Sequence, residues 1–264
     1  MRCGLSALSP ACKHRLFEPH GWCHLNAGAW DRFFVSQAAW GREAREFVYR
    51  HTEIFRARNI LELGCGTGVI TRDIVERTMG NVYAVDINRD FLAIAEERCR
   101  GKNVKFICMD AHALELEDHF FDAVYFANFL MWVQNPDRVF SEIARVLADH
   151  GFVGILSEPD YGGRIDYPCT AVREKVIADL RSRGANPYMG RRIRELCVTH
   201  GLDANLQCLQ GVFAPEKIAE CYGYEELFVS LDEETRRCIE TAIKSGTAFL
   251  SMPIIYGYAW VKKC

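Results

Sequence analysis

The sequence lacks three features that mark common classes of protein. It has no excess of positive charge, because 32 lysines and arginines stand against 35 aspartates and glutamates. Binding to nucleic acid or to an acidic membrane surface usually needs a positive field, so we expect neither partner. It also has no run of the ~20 apolar residues that span a bilayer, since the longest apolar stretch, 120–133, is interrupted by Asp122 and Asn128. The first residues lack the apolar core of a secretory signal, so we expect a cytoplasmic protein.

The third missing feature is a closely spaced cysteine pair. None of the twelve cysteines forms the CxxC arrangement of common zinc and dithiol sites. Without a secretory signal, free thiols are more common than a disulfide framework, so we expect reduced cysteines. One group of possible metal ligands lies near the N-terminus: Cys12, His14, His20, Cys23 and His24. A loose N-terminal segment is the simpler interpretation of this group, and we predict no metal site.

What the sequence does have is a globular composition and a regular alternation of two patterns. Hydrophobic residues make up 49% of the 264 positions, enough for a large core. From Arg58, short β-rich apolar runs alternate with segments whose apolar residues recur at helical spacing. Strands are predicted at 59–63, 81–85, 104–108, 123–127 and 152–156, with helices between them at 69–79, 90–100 and 137–147. This order predicts an α/β fold with a doubly wound, mostly parallel sheet.

Further segments flank this alternating core. Helices are predicted at 170–183 and 191–200, and strands at 204–212 and 254–261. The connection between those last two strands, 214–253, is much longer than a hairpin loop and contains helical patterns, so we predict a helical insertion before the last strand. The N-terminal segment 1–57 is predicted to be a helical prefix that acts as a lid.

The most informative stretch, 60–68, runs from apolar residues into Gly64, Gly66 and Gly68. Glycine at such a turn permits positive φ and lets a bound molecule lie against bare backbone at a helix start. The next strand ends in Asp86, where folds of this kind place an acceptor for ribose hydroxyls. The spacing matches neither the G-x-G-x-x-G of dinucleotide sites nor the G-K-[ST] of phosphate-binding loops. NAD binding and ATP hydrolysis are therefore disfavoured.

The pattern Glu62-x-Gly64-x-Gly66-x-Gly68, followed by Asp86, resembles the first motifs of class I S-adenosylmethionine-dependent methyltransferases. The likeness continues in order through Asp110-Ala111, 121–124 and 128–136. It implies a Rossmann-like methyltransferase domain at 58–264 with an antiparallel last strand, and S-adenosyl-L-methionine as the cofactor. The cofactor-binding residues that it implies are Glu62, Gly64, Cys65, Gly66, Gly68, Asp86, Ile87, Asp110, Ala111 and Asn128.

The resemblance also implies a role for each of these side chains. The glycine loop would pass beneath the amino-acid part of the cofactor, Asp86 would accept from the ribose, and Ile87 would pack on the adenine. Asp110 would bond near the adenine amino group, and Glu62 would orient the amides of the loop. Simpler explanations remain open, since the glycines also suit an ordinary strand-to-helix turn and the polar residues suit capping or turn roles.

The acceptor of the methyl group is harder to predict, because in-line displacement at a sulfonium needs alignment and exclusion of water but no obligatory base. Family members that methylate DNA or protein glutamine have an Asn/Asp-Pro-Pro-Tyr/Phe motif, where this chain has 128–131 as Asn-Phe-Leu-Met. Methylation of a flipped base is therefore disfavoured. The insertion is similar to that of quinone and natural-product methyltransferases, so we predict methyl transfer to O, N or C of a small molecule. The alternatives are a protein or RNA methyltransferase and a catalytically silent cofactor-binding homologue, and the oligomeric state is left open.

Acceptor-facing side chains are predicted in several segments. Glu158, Asp160 and Tyr161 follow the fifth strand and are candidates for orienting or deprotonating the acceptor, with bracing of the loop as the alternative. The predicted substrate-binding residues are Trp30, Phe33, Trp132, Tyr161 and Arg191. One basic concentration could meet a carboxylate or phosphate of the substrate, although a solvated helix face is the simpler explanation: Arg181, Arg183, Arg191, Arg192 and Arg194.

Overall fold

The alternation of strands and helices is present in the computed structural model, which describes residues 27–229 and 231–262. The first half of the order is α1 (Ala27–Trp40), α2 (Arg42–His51), β1 (Asn59–Leu63), α3 (Val69–Val75), β2 (Asn81–Asp86), α4 (Arg89–Arg98), β3 (Val104–Cys108), β4 (Phe121–Ala127) and α5 (Pro136–Val146). The second half is β5 (Leu147–Pro159), β6 (Ile165–Tyr167), α6 (Ala171–Ser182), α7 (Ile193–Thr199), β7 (Leu202–Leu209), α8 (Pro215–Phe228), α9 (Glu233–Ser245), β8 (Phe249–Ser251) and β9 (Ile254–Val261).

The main sheet has the strand order β3-β2-β1-β4-β5-β9-β7. The five strands β1 to β5 pair with one another in parallel, whereas β9 runs antiparallel to both β5 and β7. The predicted doubly wound fold with an antiparallel last strand is therefore confirmed. Because the chain order reverses direction beside β1, the carboxyl ends of β1, β2 and β4 meet at one edge and open a crevice there.

Local sequence explains why the strands and helices form where they do. The central strands β1 and β4 are almost wholly buried, as expected for strands covered by helices on both faces. The Asn88 side chain accepts hydrogen bonds from two amides in the first turn of α4. Asn135 accepts one from Arg138 at the start of α5, where Pro136 stands in the first turn. These caps satisfy backbone donors that a helix leaves open at its start.

The described part of the prefix and most of the insertion are helical, as predicted. The described part of the prefix forms α1 and α2, and the insertion forms α8 and α9 together with β8, which pairs with β6 in a separate two-stranded sheet. Ser36 of α1 donates a hydrogen bond to Glu220 of α8, and the rings of Trp40 and Phe213 meet at a centroid distance of 5.6 Å. The prefix therefore contacts the insertion directly.

The cysteines require a correction. Cys169, just before α6, and Cys238 in α9 form a disulfide, so the prediction of reduced cysteines is wrong for this pair. The fold brings their Cα atoms to 5.8 Å across 69 residues of sequence, a proximity that short-range spacing does not reveal. Cys65, Cys99, Cys197 and Cys208 keep free thiols.

The described residues offer neither a cluster of metal ligands nor a helix that could span a membrane. In ranges 27–229 and 231–262 there is no group of three or more His, Cys, Asp or Glu side chains placed to hold a metal ion. The N-terminal group of Cys12, His14, His20, Cys23 and His24 lies outside the described residues. None of the described helices combines the length and the apolar character needed to cross a lipid bilayer.

Candidate functional site

A cavity of about 800 Å³ lies over the carboxyl ends of β1, β2 and β4. It is within the size range of small-molecule sites. Its walls come from the glycine loop after β1, the segments after β2, β3 and β4, the middle of α1 and the end of α6. Of the predicted cofactor residues, all except Gly68 line it: Glu62, Gly64, Cys65, Gly66, Asp86, Ile87, Asp110, Ala111 and Asn128.

The glycine loop needs glycine at each of its three positions, for different reasons. The φ angles of Gly64, Gly66 and Gly68 are +68°, +53° and +79°, all in the left-handed region. A Cβ atom at Gly64 would lie 2.4 Å from a ring carbon of Phe129, whereas one at Gly66 would lie 3.3 Å from the ring of Phe34. Gly68 is outside the cavity lining and packs directly on Ala95 of α4. Gly64 and Gly66 thus present bare backbone to the cavity, and Gly68 allows two helices to approach.

Asp86 anchors the loop to the end of β2. One carboxylate oxygen accepts from the Gly66 amide at 2.8 Å, and the other accepts from the Asn88 amide at 2.8 Å. Burial raises the pKa of this carboxyl, while the amide hydrogen bonds oppose the shift. Each oxygen keeps a further lone pair, so the carboxylate can accept two more hydrogen bonds from a ligand. Ile87, next in the chain, is 54% exposed in the cavity wall and offers an apolar surface to a ring.

Asp110 lies in the cavity wall after β3, where its carboxylate is partly engaged. Oδ1 contacts His112 Nδ1 at 2.6 Å and accepts from the His112 amide at 2.9 Å. Because His112 Nε2 accepts from the Asn135 amide, Nδ1 carries the hydrogen and donates to Asp110. The Oδ2 atom of Asp110 is left for a ligand, and the buried Ala111 stands beside it in the lining.

Glu62 and Thr67 are two buried polar side chains in the lining of the cavity. Glu62 is 2% exposed and Thr67 is 1% exposed. Among the residues that the structure describes, Glu62 Oε2 and Thr67 Oγ1 have no hydrogen-bond partner. Burial raises the pKa of Glu62 to about 8. Buried polar atoms are normally satisfied, so these atoms mark a place where a ligand or water completes the structure. The neighbouring Cys65 thiol is buried, which raises its pKa and makes it a poor nucleophile.

The loop after β4 forms the next wall. Asn128 has a φ of +50°, and its amide donates to the Ser157 carbonyl at 2.6 Å. Phe129, Trp132 and Val133 follow and line the cavity. The predicted substrate residue Trp132 is therefore in the lining.

Glu158 accepts hydrogen bonds from that loop and is absent from the cavity lining. The side chain is fully buried, and its Oε1 accepts from the amides of Phe129 at 2.8 Å and Leu130 at 3.1 Å. Burial raises the pKa of Glu158 to about 8. These contacts match the loop-bracing alternative rather than direct action on an acceptor.

Asp160, Tyr161 and Arg191 also lie outside the cavity lining. Asp160 holds Arg191 through two contacts of 2.7 Å, to Nε and to Nη2, and accepts from the Gly162 amide at 3.0 Å. Tyr161 is buried in the core. The Asp160 carboxylate and the Arg191 guanidinium are thus engaged with each other.

The prefix contributes to the cavity through residues other than those predicted. Trp30 is buried and Phe33 is half-buried, and neither lines the cavity. Phe34, Gln37 and Ala38 of α1 line it instead. Phe34 stands among several aromatic residues of the prefix, and the sequence does not show which of them faces a ligand. Four residues at the end of α6 and just after it also line the cavity: Arg181, Ser182, Arg183 and Gly184. Of these, the sequence pointed only to the two arginines, as part of the basic cluster.

Comparison with known proteins gives one matching family model, a methyltransferase domain over residues 61–155. Demethylmenaquinone methyltransferase of Lactobacillus johnsonii is 39% identical over 102 residues, which are 36% of this chain and 42% of that protein. The chain spans between 35% and 52% of the length of the curated relatives that it matches.

Two solved structures share the fold. A methyltransferase described as putative, from Bacillus halodurans C-125, has a TM-score of 0.60 at 16% identity, covering 82% of this chain and 99% of its own. Phosphoethanolamine N-methyltransferase 2 of Haemonchus contortus, solved with S-adenosyl-L-methionine, has a TM-score of 0.54 at 17% identity, covering 83% of this chain and 56% of its own.

Proposed function

We propose that the chain is a class I S-adenosylmethionine-dependent methyltransferase and that it transfers a methyl group from S-adenosyl-L-methionine to O, N or C of a small molecule. The observation that carries the proposal is the convergence of the glycine loop and Asp86 on one cavity. An ordinary strand-to-helix turn would not need an acidic side chain with free lone pairs beside bare backbone.

The residues of this cavity fit the cofactor. The unpartnered Glu62 Oε2 and Thr67 Oγ1 atoms lie beside the loop where polar atoms of the amino-acid part would be needed. Asp86 would accept from the ribose hydroxyls, Ile87 would pack on the adenine, and Asp110 would accept from its amino group. When bound, the cofactor would supply an electrophilic methyl group on a sulfonium.

Rate enhancement would come from alignment and from exclusion of water. The walls contributed by Phe34, Phe129 and Trp132 are aromatic and would remove water from around the reacting atoms. Glu158 and Asp160 lie outside the lining, so we assign neither of them the role of a base. Holding the acceptor in line with the methyl group would supply much of the acceleration.

A small acceptor is favoured over RNA by the state of the basic cluster. Arg183 is paired with Asp179, Arg191 with Asp160 and Arg192 with Glu195. With three of its five arginines paired with carboxylates, the cluster does not form the continuous positive surface that binds phosphate backbones. We keep a protein or RNA methyltransferase and a catalytically silent homologue as the alternatives.

The division of the chain is also part of this proposal, with a prefix at 1–57 acting as a lid and a methyltransferase domain at 58–264. Its support is the position of α1 against the glycine loop. The Phe34 ring packs beside Gly66 and meets Phe91 edge-on at 5.5 Å. Arg98 of α4 donates to the Thr67 carbonyl at 3.0 Å and pairs with Asp31 of α1. The cytoplasmic location remains a prediction.

The test combines binding with turnover. Calorimetry with S-adenosylmethionine and S-adenosylhomocysteine measures the cofactor site, and labelled methyl donor is then incubated with the protein and a metabolite extract, a protein fraction or an RNA fraction. We expect label in a small soluble product only. Label in acid-precipitable material would favour the protein or RNA alternative. Tight binding with no transfer in any fraction would favour the silent homologue, and no binding of either cofactor form would refute the proposal.

A further inference from the structure

One wall of the cavity is left unexplained by the residues that fit the cofactor. It consists of the end of α6 at 181–184, which is joined to the loop after β4 by a hydrogen bond of 3.0 Å from Gln134 to the Gly184 carbonyl. Trp132 and Val133 of that loop line the adjoining surface. This wall therefore combines apolar and aromatic surface with the side chains of Arg181 and Arg183.

The two arginines of this wall differ in their partners. Arg183 forms an ion pair with Asp179 at 2.6 Å. Arg181 is exposed, and its guanidinium lies over the ring of Tyr188, 5.0 Å from the ring centroid. Among the side chains that the structure describes, which leave out those of 224–228, no carboxylate pairs with Arg181. A cation on a cavity wall with no anion beside it is available to a ligand that carries one.

The Tyr188 ring, over which this guanidinium lies, is held in position by several contacts. Arg191 lies over the same ring at 5.2 Å and is itself held by Asp160. The Tyr188 amide donates to the Asn186 side chain at 3.1 Å, and the Asn186 amide donates to the Met131 carbonyl at 2.7 Å. A Cβ at Gly162 would lie 2.6 Å from a Tyr188 ring carbon, so the ring fits closely against that turn. Asp160 and Arg191 thus act behind the cavity wall, where they position Tyr188.

A guanidinium that lies over an aromatic ring can still donate hydrogen bonds from its edge. When a ring contacts the flat face of an arginine, the N–H donors point outward in the plane of the guanidinium. That planar fork matches the two oxygens of a carboxylate or a phosphate. Because stacking restricts the side chain beforehand, less conformational entropy is lost when an anion binds.

One other arginine in the lining also has no carboxylate partner among the described residues. Arg89 begins α4, three positions after Asp86, and therefore belongs to the wall that fits the ribose and adenine. Arg181 belongs to the wall built from α6 and the loop after β4. The two residues consequently provide an internal comparison, one on the cofactor wall and one on the unexplained wall.

We propose that Arg181, stacked on Tyr188, binds an anionic group of the methyl acceptor, and that the acceptor combines an apolar body with a carboxylate or a phosphate. The assignment of this anion to an acceptor rests on the proposed methyltransferase function. The anion site itself does not depend on turnover, so it is tested by binding.

The probes are benzoate, phenyl phosphate and the neutral benzamide, titrated into the protein saturated with S-adenosylhomocysteine and, separately, into the protein alone. The variants are Arg181→Met, Tyr188→Leu and Arg89→Met, with Arg194→Met as the matched control, because Arg194 is exposed on α7 and outside the cavity. Charged hydrogen bonds of this kind correspond to a roughly ten- to hundredfold change in Kd. We expect that loss for Arg181→Met with one or both anions, a smaller loss for Tyr188→Leu, and wild-type affinity for Arg194→Met. For Arg89→Met we expect wild-type affinity in the protein saturated with S-adenosylhomocysteine, where the cofactor wall is occupied.

The outcomes separate this inference from the proposed function. Unchanged anion affinity in Arg181→Met, or benzamide binding as tightly as benzoate and phenyl phosphate, would overturn the anion site even if S-adenosylhomocysteine binds normally. Failure to bind S-adenosylhomocysteine would refute the proposed function, while an Arg181-dependent anion affinity in the protein alone would still support the site. A preference for benzoate or for phenyl phosphate identifies which anion the acceptor carries. In the turnover assay, the labelled product should be retained by an anion-exchange resin.

Discussion

The carboxylates at the ends of β2 and β5 lie at the same edge of the sheet but have different surroundings. Asp86 ends β2 in the cavity wall, where it accepts two backbone hydrogen bonds and keeps lone pairs for a ligand. Glu158 and Asp160, at the end of β5, are absent from that wall. Glu158 accepts from the amides of the loop after β4, and Asp160 is engaged by Arg191.

A position at the carboxyl edge of a parallel sheet is therefore not sufficient for a side chain to contact a ligand. Side chains alternate along a strand, and β5 continues to Pro159, so that Glu158 points among the buried residues of the sheet. A carboxylate there is stabilised by the amides of the chain itself. A carboxylate becomes available to a ligand where its local partners leave acceptor capacity facing a cavity, as at Asp86.

The largest effect that tests this comparison is expected from Glu158→Ala. The substitution leaves the amides of Phe129 and Leu130 buried without an acceptor and opens a small cavity. Since each unsatisfied buried group costs about 1–3 kcal/mol, we expect the free energy of unfolding to fall by about 3 kcal/mol. Thermal or denaturant unfolding measures the change.

Glu158→Gln is the matched control for that variant, because its amide oxygen can still accept from both backbone groups. We expect it to recover most of the lost stability. If Glu158→Ala is as stable as the wild type and instead abolishes methyl transfer, then Glu158 acts on the acceptor, and the contrast with Asp86 is wrong.

Glu158 should also make the free energy of unfolding depend on pH. Burial raises the pKa of Glu158 from 4.5 to about 8 in the folded protein, and that of Glu62 likewise. Between these pH values the folded state binds protons that the unfolded state has released, so stability falls as the pH rises through this window. Removing one such group by Glu158→Gln should make the slope shallower by up to about 1.4 kcal/mol per pH unit. An unchanged slope in unfolding measured from pH 5 to 8 would show that Glu158 does not hold the proton.

The next effect concerns the cofactor. Asp86→Ala should weaken binding of S-adenosylmethionine by roughly 10- to 100-fold, because hydrogen bonds to a charged acceptor are worth about 1.5–3 kcal/mol. Asp160→Ala should leave this affinity unchanged, since that carboxylate binds Arg191 instead. Calorimetry of both variants sharpens the comparison. Equal losses of affinity would mean that both strand ends face the cofactor.

These results show which parts of the site can be predicted from sequence. The glycine loop and Asp86 were predictable, because turn geometry and strand order are both local patterns, and together they define the crevice. The surroundings of Asp160 were not, because its partner Arg191 comes from a segment after α6 whose return to β5 no short pattern encodes. Phe34 was missed for a related reason, since the periodicity of α1 shows an apolar face without showing which ring packs against Gly66.

The smallest effect is expected at Asp110, which has features of both regions. Its carboxylate lines the cavity, as that of Asp86 does, but one oxygen already accepts from His112. A ligand would gain a single hydrogen bond at the remaining oxygen, so we expect the lower end of the range of about 1.5–3 kcal/mol for a bond to a charged acceptor. Asp110→Ala should therefore weaken binding of S-adenosylmethionine by about tenfold, and Asp110→Asn, which keeps an acceptor oxygen, by less. Calorimetry could instead show that Asp110→Ala loses as much affinity as Asp86→Ala. In that case the contact with His112 does not reduce what Asp110 contributes to cofactor binding. Hydrogen bonds within the chain would then not explain the difference between the ends of β2 and β5.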